Sequence, residues 1–547
     1  MIWLALGAAL AAPHEQAASG VPERTDADVD VLFEGFLQFF EPESLEPQRR
    51  LPADRWHCGT GLVLEIQENW ERFTHEQQRR MKPYISERPP LHELGPVEEE
   101  TSFLAAPSET CFDAYPSRRP SWAGDGENRI VTEHFSVEWD GNAISESKAQ
   151  SFADALEHSW EVEFDELGWR RPARSGQWLT LAYVSGGNYS GAVTSVESCG
   201  GDYIPFIVAG KSAFSQGTWY QDMAGHELNH ASQFSYGYGH EFYFWESTAT
   251  WIEEYLYPNH NAWSPYISGY SQAPHLAINK SSQQDQDVFY HMYGMAIFNF
   301  YLDEYVGGPE LIEELWEYSR SNGTQYDLWI GSVLEDKGFD WAEIYDGFIA
   351  ANAVMDYAES AYFPDVARAD SVNNFPAEGG NSGAEKPEGY GQNYVRVRTG
   401  KASDEFPDLS VVFDGANSVE WSVQLVGERD GEVADVVRME VVEGTGGGVF
   451  PDIGEFDNIW MVVSPLTTKT KAFNYSWEME LVDAYPDDED TEGEGGGDED
   501  LAAGCACATS SRSSRGNPGV LPLVALLLPW TMRRSGRGAE GRKGEHQ

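Results

Sequence analysis

The chain reads as an α+β protein with a second, all-β part, and three observations carry that reading. Apolar residues alternate with a period of two in short runs between Arg129 and Gly210, recur at helical spacing in longer runs from Gln221 to about Asp370, and return to period two beyond a glycine- and proline-rich connector. Strands first and long helices second is an α+β layout, because βαβ units would alternate the two. With 547 residues the chain exceeds one compact core, so two or three domains are expected.

The elements follow in order. "MIWLALGAALAAP" has a short apolar run with small residues around Ala11 to Ala18, which reads as a signal peptide over 1–18, although it lacks a basic leading region. Residues 19–127 are rich in Pro, Glu and Arg and hold one helix, "GLVLEIQENWERF", in which Leu62, Ile66 and Trp70 recur every four residues; this stretch reads as an N-terminal segment or propeptide. A domain over 128–370 opens with a strand, "RIVTEHFSVEWD", followed by a helix over Ser145 to Leu167 that Gly168 stops. "WLTLAYV" and "YIPFIVAG" are further strands, the second marked by its proline as a sheet edge. Helices are expected near 221–236, across "FYFWESTATWIEEYL", across "VFYHMYGMAIFNFYLDEYVG", and after Pro309 and Trp341. Residues 371–388 read as a linker, and the alternating runs over 389–484, from "NYVRVR" to "YSWEMELV", predict an antiparallel β-sandwich.

Acidic residues outnumber basic ones 90 to 36, a net charge of -54, which argues against nucleic acid or an anionic lipid surface as partner. Among five cysteines, Cys58 and Cys111 are expected to pair as a disulfide in an exported chain, with capping of a metal by Cys58 as the alternative; Cys199 is then left over. The acidic stretch at 485–503 reads as a solvated spacer, with calcium binding there as the alternative. Residues 504–547 hold Cys505 and Cys507, a short apolar run containing three prolines and an arginine cluster. That run is shorter than the ~20 residues of a membrane span, so no stable span is predicted. In its order of parts the tail resembles the C-terminal sorting signal of myxobacterial surface proteins (MYXO-CTERM type), which implies export and display on the outer surface.

The chemistry concentrates in "QDMAGHELNHASQF". A helix turns every 3.6 residues, so His226 and His230 share a face at the separation two ligands of a tetrahedral zinc require. Glu227 lies off that face, where it can take a proton from water activated by the metal. A third ligand must come from elsewhere. Gln233 and Tyr236 stand where a metzincin would have Gly and His, and His240 lies too far along the chain. "FWESTATWIEE" offers Glu246, flanked by the small Ser247 and Ala249 that would let its helix approach the motif helix, and Glu253 on the same face.

At this point the sequence over about Arg129 to Asp370 resembles the gluzincin zinc metallopeptidases, whose H-E-x-x-H is followed by a ligand glutamate on the next long helix. Within that class it is similar to secreted metalloproteases of myxobacteria, with counterparts of "EHFSVEWD", "FDELGW" and "YGMAIFNFYLDEYVG". The resemblance implies a zincin-like domain with a mixed sheet, a motif helix and a helical lobe. It further implies one catalytic Zn2+ held by His226, His230 and Glu246, and Glu227 as general base. Tyr293 is the preferred oxyanion donor by the same resemblance, with His291 second. The position four after Glu246, where the pattern often has an aspartate orienting the first histidine, is Thr250; Asp222 is the expected substitute. The strand "YIPFIVAG" would receive an extended peptide at its edge. The expected function is therefore a secreted or cell-surface endopeptidase acting on protein or peptide. Its rivals are an inactive surface adhesion protein on a peptidase scaffold and a zinc hydrolase of cell-wall material.

Overall fold

The structure, a computed structural model, describes residues 29–50, 58–81, 85, 128–176, 178–187, 191–199, 202–237, 242–282, 285–322, 329–381, 385–469 and 471–483. The expected signal peptide, acidic spacer and sorting tail, with Cys111, His240, Cys505 and Cys507, lie outside these residues. Within them the architecture is mixed α+β with three five-stranded sheets.

Three helices precede the first sheet: α1 (Val29–Phe40), α2 (Thr60–Glu68) and α3 (His75–Met81). The run expected as one strand from Arg129 is two, β1 (Asn128–Val131) and β2 (Phe135–Trp139), folded back antiparallel. The chain turns where Thr132 N–H donates to Phe135 O and where Glu157 accepts from the backbone of His134, a local arrangement that alternation alone does not announce. Helix α4 (Glu146–Trp160) starts at Ser145, whose hydroxyl caps Lys148 N, continues through a π-helical turn over 161–166, and ends at Gly168 with φ +77°.

Strands β3 (Thr180–Ser185), β4 (Ala192–Cys199) and β5 (Asp202–Gly210) complete the sheet in the order β1-β2-β3-β5-β4, with β2, β3 and β5 parallel and β4 antiparallel to β5. Two expectations change here. Sequence reading passed over β4, and β4, not the proline-bearing β5, forms the edge. Pro205 is tolerated inside because the ladder to β3 begins one residue later, at Phe206. Side chains alternate between faces, as a strand requires. Leu181, Tyr183, Val193, Phe206 and Val208 pack on α1 and α2, while Ala182, Val184, Ala192, Ile207 and Ala209 join the main core with α4 and the motif helix. Both faces are therefore covered.

The helices that follow are α5 (Trp219–Tyr236), α6 (Phe242–Leu256), α7 (Ser264–Gln272), α8 (Gln286–Gly294), α9 (Ala296–Tyr301), α10 (Pro309–Asn322), α11 (Trp329–Asp336) and α12 (Trp341–Val354). Helix α5, buried on nearly every side, is central. Trp251, Trp263 and Trp316 are fully buried in the core it shares, each contributing roughly 1.5–3 kcal/mol by leaving water. The expected single helix through "YHMYGMAIF" is broken at Gly294 into α8 and α9. There the chain meets α7 so closely that a Cβ on Gly294 would lie 2.5 Å from Tyr270 N and 2.7 Å from Tyr266 O.

The stretch expected as a linker contributes two strands, β6 (Asp370–Val372) and β7 (Ala377–Gly380). They extend sheets formed by β8 (Asn393–Arg398), β9 (Asp408–Gly415), β10 (Glu420–Arg429), β11 (Glu432–Arg438), β12 (Glu440–Val442), β13 (Thr445–Phe450), β14 (Asn458–Leu466) and β15 (Tyr475–Val482). The orders are β11-β10-β14-β8-β6 and β12-β13-β9-β15-β7, mainly antiparallel, and both sheets feed one apolar cluster around Phe413, Leu425, Met461 and Trp477. β10 and β14 are buried on both faces because α12 covers them: Asp346 accepts from Ser422 Oγ at 2.7 Å, and Val426, Trp460 and Val462 join the main core. Tyr270 on α7 donates to Gln392 Oε1 at 2.8 Å and accepts from Asn352 Nδ2 at 2.7 Å. The C-terminal sheets thus brace α7, and through it α8.

Candidate metal centre

One turn apart on α5, His226 and His230 point their Nε2 atoms at the same place, their rings at 85° to each other. Glu246 enters from α6, with Oε2 3.4 Å from each Nε2. A fourth group arrives from far away in sequence: Cys58, just ahead of α2, sets its Sγ 3.4 Å from His230 Nε2 and 4.0 Å from Glu246 Oε1. One ligand atom from each of the four lies within 4.8 Å of the others, and all four residues are buried. This group can hold a metal ion.

The spacing has a physical sense. Donors about 2.0–2.3 Å from a tetrahedral centre sit roughly 3.4 Å apart, the separation seen between Glu246 and both imidazoles. His226 Nε2 and Glu246 Oε2, though buried, have no hydrogen-bond partner, a costly condition that a cation between them would relieve.

Each histidine is held from behind. His226 Nδ1 lies 2.9 Å from Glu253 Oε1, and His230 Nδ1 lies 2.7 Å from Gln233 Oε1. Gln233 cannot present its nitrogen instead, because Gln233 Nε2 already donates to Asn229 Oδ1 at 2.8 Å and to Trp245 O at 3.1 Å. Asn229 is fixed in turn, donating from Nδ2 to Glu163 Oε2 at 3.1 Å. The Trp245 carbonyl, which can only accept, therefore sets the orientation of Gln233, and Gln233 Oε1 assigns the proton of His230 to Nδ1, leaving the Nε2 lone pair for a metal.

Two expectations are corrected by this arrangement. Asp222 does not reach His226; it pairs with His260 at 3.0 Å. The orienting carboxylate is Glu253, seven residues after Glu246, which explains how Thr250 can stand where an aspartate was expected. Ser247 also turns away from the motif helix, accepting a hydrogen bond from Asn299 Nδ2 on α9. The close approach of α5 and α6 is made instead by Gly225, where a Cβ would lie 1.9 Å from Leu256 Cδ1.

Glu227 faces the sheet edge. Its Oε2 accepts from Thr194 Oγ1 on β4 at 2.8 Å and from Thr60 Oγ1 at 3.2 Å, while its buried Oε1 has no hydrogen-bond partner. Tyr293 lies over the site, its ring stacked on Tyr266 and its hydroxyl donating to Cys58 O at 3.5 Å. His291, the second choice of donor, faces away: its Nε2 is bonded to Ala277 O, and burial lowers its pKa to about 3.

Electrostatics reflect the crowding of charges. Burial opposes ionisation of Glu246, but the adjacent His230 and His226 hold its carboxyl below the usual range. Burial also opposes a charge on His230, yet Cys58 and Glu246 outweigh it and carry the imidazole up to about 10. Burial drives Tyr293 well above the ordinary phenol value, and Glu246 adds to this, so its proton stays on. Without a cation the histidines hold protons, and a metal would displace them.

Cys58, expected in a disulfide with metal capping as the alternative, sits where the alternative puts it. It carries a free thiol rather than a disulfide, and no spacing signal could have located it, because 172 residues separate it from His230. Thr194, Gln233, Asn229 and Glu163 were also missed; within the motif helix Gln233 lies three residues from His230 and Asn229 four from Gln233, a helical spacing that could have flagged both. No protein-family model matches the chain, and a comparison with curated proteins finds no match.

Proposed function

We propose that this chain is a zinc-dependent endopeptidase with a zincin-like fold, the gluzincin ligand pattern and a C-terminal β-sandwich. The observation that carries the reading is the convergence of His226, His230 and Glu246 on one buried point, beside a carboxylate turned toward the edge of a sheet. Two imidazoles, a carboxylate and a thiol within reach suit zinc better than calcium or magnesium, which take oxygen donors. Bound zinc supplies Lewis acidity, polarising a carbonyl and acidifying water.

The remaining work falls to the chain's own groups. Glu227, anchored through Oε2, offers Oε1 as general base. Tyr293 keeps its proton and donates a hydrogen bond to the oxyanion as it develops. The edge of β4 receives an extended peptide through backbone hydrogen bonds. The signal peptide and sorting tail read from the sequence extend the proposal to an exported, surface-held enzyme.

Purified chain is expected to carry roughly one zinc, and His230→Ala to lose it. Glu227→Gln keeps the metal but lowers hydrolysis of denatured casein at least ~100-fold, measured beside its parent in chains whose Cys58 is replaced by alanine. Protein that binds no zinc on dialysis overturns the reading. Hydrolysis of cell-wall material in place of casein reassigns the substrate.

A further inference from the structure

We propose that Cys58 to Gly61 form an inhibitory strap, with the Cys58 thiolate as fourth metal ligand, that holds the centre latent until displaced. The inference rests on the metal centre proposed above. A catalytic zinc keeps one position open, whereas a shell of four protein ligands is the mark of a closed site. Here Cys58 closes it, 2% exposed and with its thiol free. Thr60 N–H, in the first turn of α2, donates to Cys58 Sγ at 3.3 Å, which holds the sulfur in place at the centre.

The strap also takes the sheet edge and the tyrosine hydroxyl that the reaction needs, and it touches the anchored oxygen of Glu227. Gly59 N–H donates to Ala192 O at 2.9 Å and Cys58 bridges Ala192 in parallel, so the segment adds itself to the edge of β4. Cys58 O takes the hydroxyl of Tyr293, Thr60 Oγ1 donates to Glu227, and Gly61 N–H donates to Glu246 Oε1 at 3.1 Å. A peptide substrate would need that same edge and hydroxyl, so strap and substrate exclude each other.

Two features keep the strap in place. Gly59 passes so close beneath α1 that a Cβ would lie 2.8 Å from Phe39 Cζ. Leu32, Phe36, Phe39, Leu62 and Ile66 pack with Leu181, Val193 and Phe206 on the outer face of the sheet. The strap is thus tethered by a folded unit and competes at the high effective concentration of an intramolecular ligand. Displacement returns a proton from solvent to the thiolate and frees Tyr293 and the β4 edge together.

The full-length chain is loaded with cobalt(II), and the near-ultraviolet thiolate-to-cobalt absorption is compared with that of Cys58→Ala. The band is expected in the native chain and absent in the variant, which still binds cobalt. With zinc, the variant is expected to hydrolyse denatured casein at least ~10-fold faster than the native chain. Alkylation of Cys58 by iodoacetamide, followed by peptide mass spectrometry on the native chain, guards against a variant that fails to fold: metal is expected to slow it at least ~10-fold. Cobalt bound without the band, or equal alkylation rates with and without metal, overturns the strap and leaves the three-ligand centre standing. Failure of the native chain to bind cobalt or zinc overturns the metal centre itself.

Discussion

Replacing Glu253 by alanine deprives His226 Nδ1 of the acceptor 2.9 Å away. His226 is 5% exposed, so water cannot take over, and a buried donor left without a partner costs about 1–3 kcal/mol. That cost falls on the neutral, metal-binding form of the imidazole. At about 1.4 kcal/mol per tenfold change it predicts a loss of zinc affinity of roughly 10- to 100-fold, the range usual for outer partners of a ligating histidine. Glu246→Ala removes a donor atom from the shell and is expected to cost about 1,000-fold or more. Glu253→Gln keeps an amide oxygen as acceptor and should fall between the native chain and Glu253→Ala. The assay is competition against a chelator of known affinity, at one fixed pH because protons compete for the same nitrogens, with circular dichroism to verify the fold. If Glu253→Ala loosens zinc as much as Glu246→Ala, the assignment of ligand and positioning residue is reversed. If it changes nothing, the positioning role is refuted.

Other outcomes follow from the same geometry. Tyr293→Phe is expected to lower kcat about 100-fold or more with little change in KM, measured on the Cys58→Ala chain; a change confined to KM would refute the donor role. Gly294→Ala forces a Cβ against backbone atoms of α7 that cannot swing aside, and should cost about 2–3 kcal/mol in urea unfolding. Gly400→Ala, with nothing within 4 Å, should stay within about 0.5 kcal/mol; similar losses for both would count against the close crossing of α7 and α8. Burial, with help from Glu253 and against His260, raises Asp222 from its ordinary value of 3.8 to about 7. The folded chain therefore keeps this proton longer than the unfolded one. The resulting stability is complete below about pH 4 and is lost as pH rises through about 7. Asp222→Asn carries no such titration, so its stability relative to the native chain should rise between pH 4 and 8 by on the order of 2–4 kcal/mol. A difference that does not move with pH refutes the shift.

Much of this arrangement was legible in the residues because it is a property of single elements. The four-residue spacing of His226 and His230 places them on one face whatever surrounds the helix. Ser145 and Gly168 punctuate α4 by chemistry that acts within a turn. Alternation in "YSWEMELV" marks Tyr475, Trp477 and Met479 as one inward face, and the structure buries all three.

What only the tertiary structure decided involves several elements at once. Pro205 suggests an edge by its missing donor, but the ladder to β3 simply begins after it and β4 takes the outside. Glu246 and Glu253 both lie on the inward face of α6. Only the packing of α6 on α5, set by Gly225 against Leu256, puts the first beside two Nε2 atoms and the second behind one Nδ1. Cys58 has no periodic relation to any of them, since the sheet edge to which its own backbone adds delivers it to the site. Sequence alone determined which side chains share an element's face, because helix and strand geometry are local; which faces meet was settled by the packing of the core, which is not.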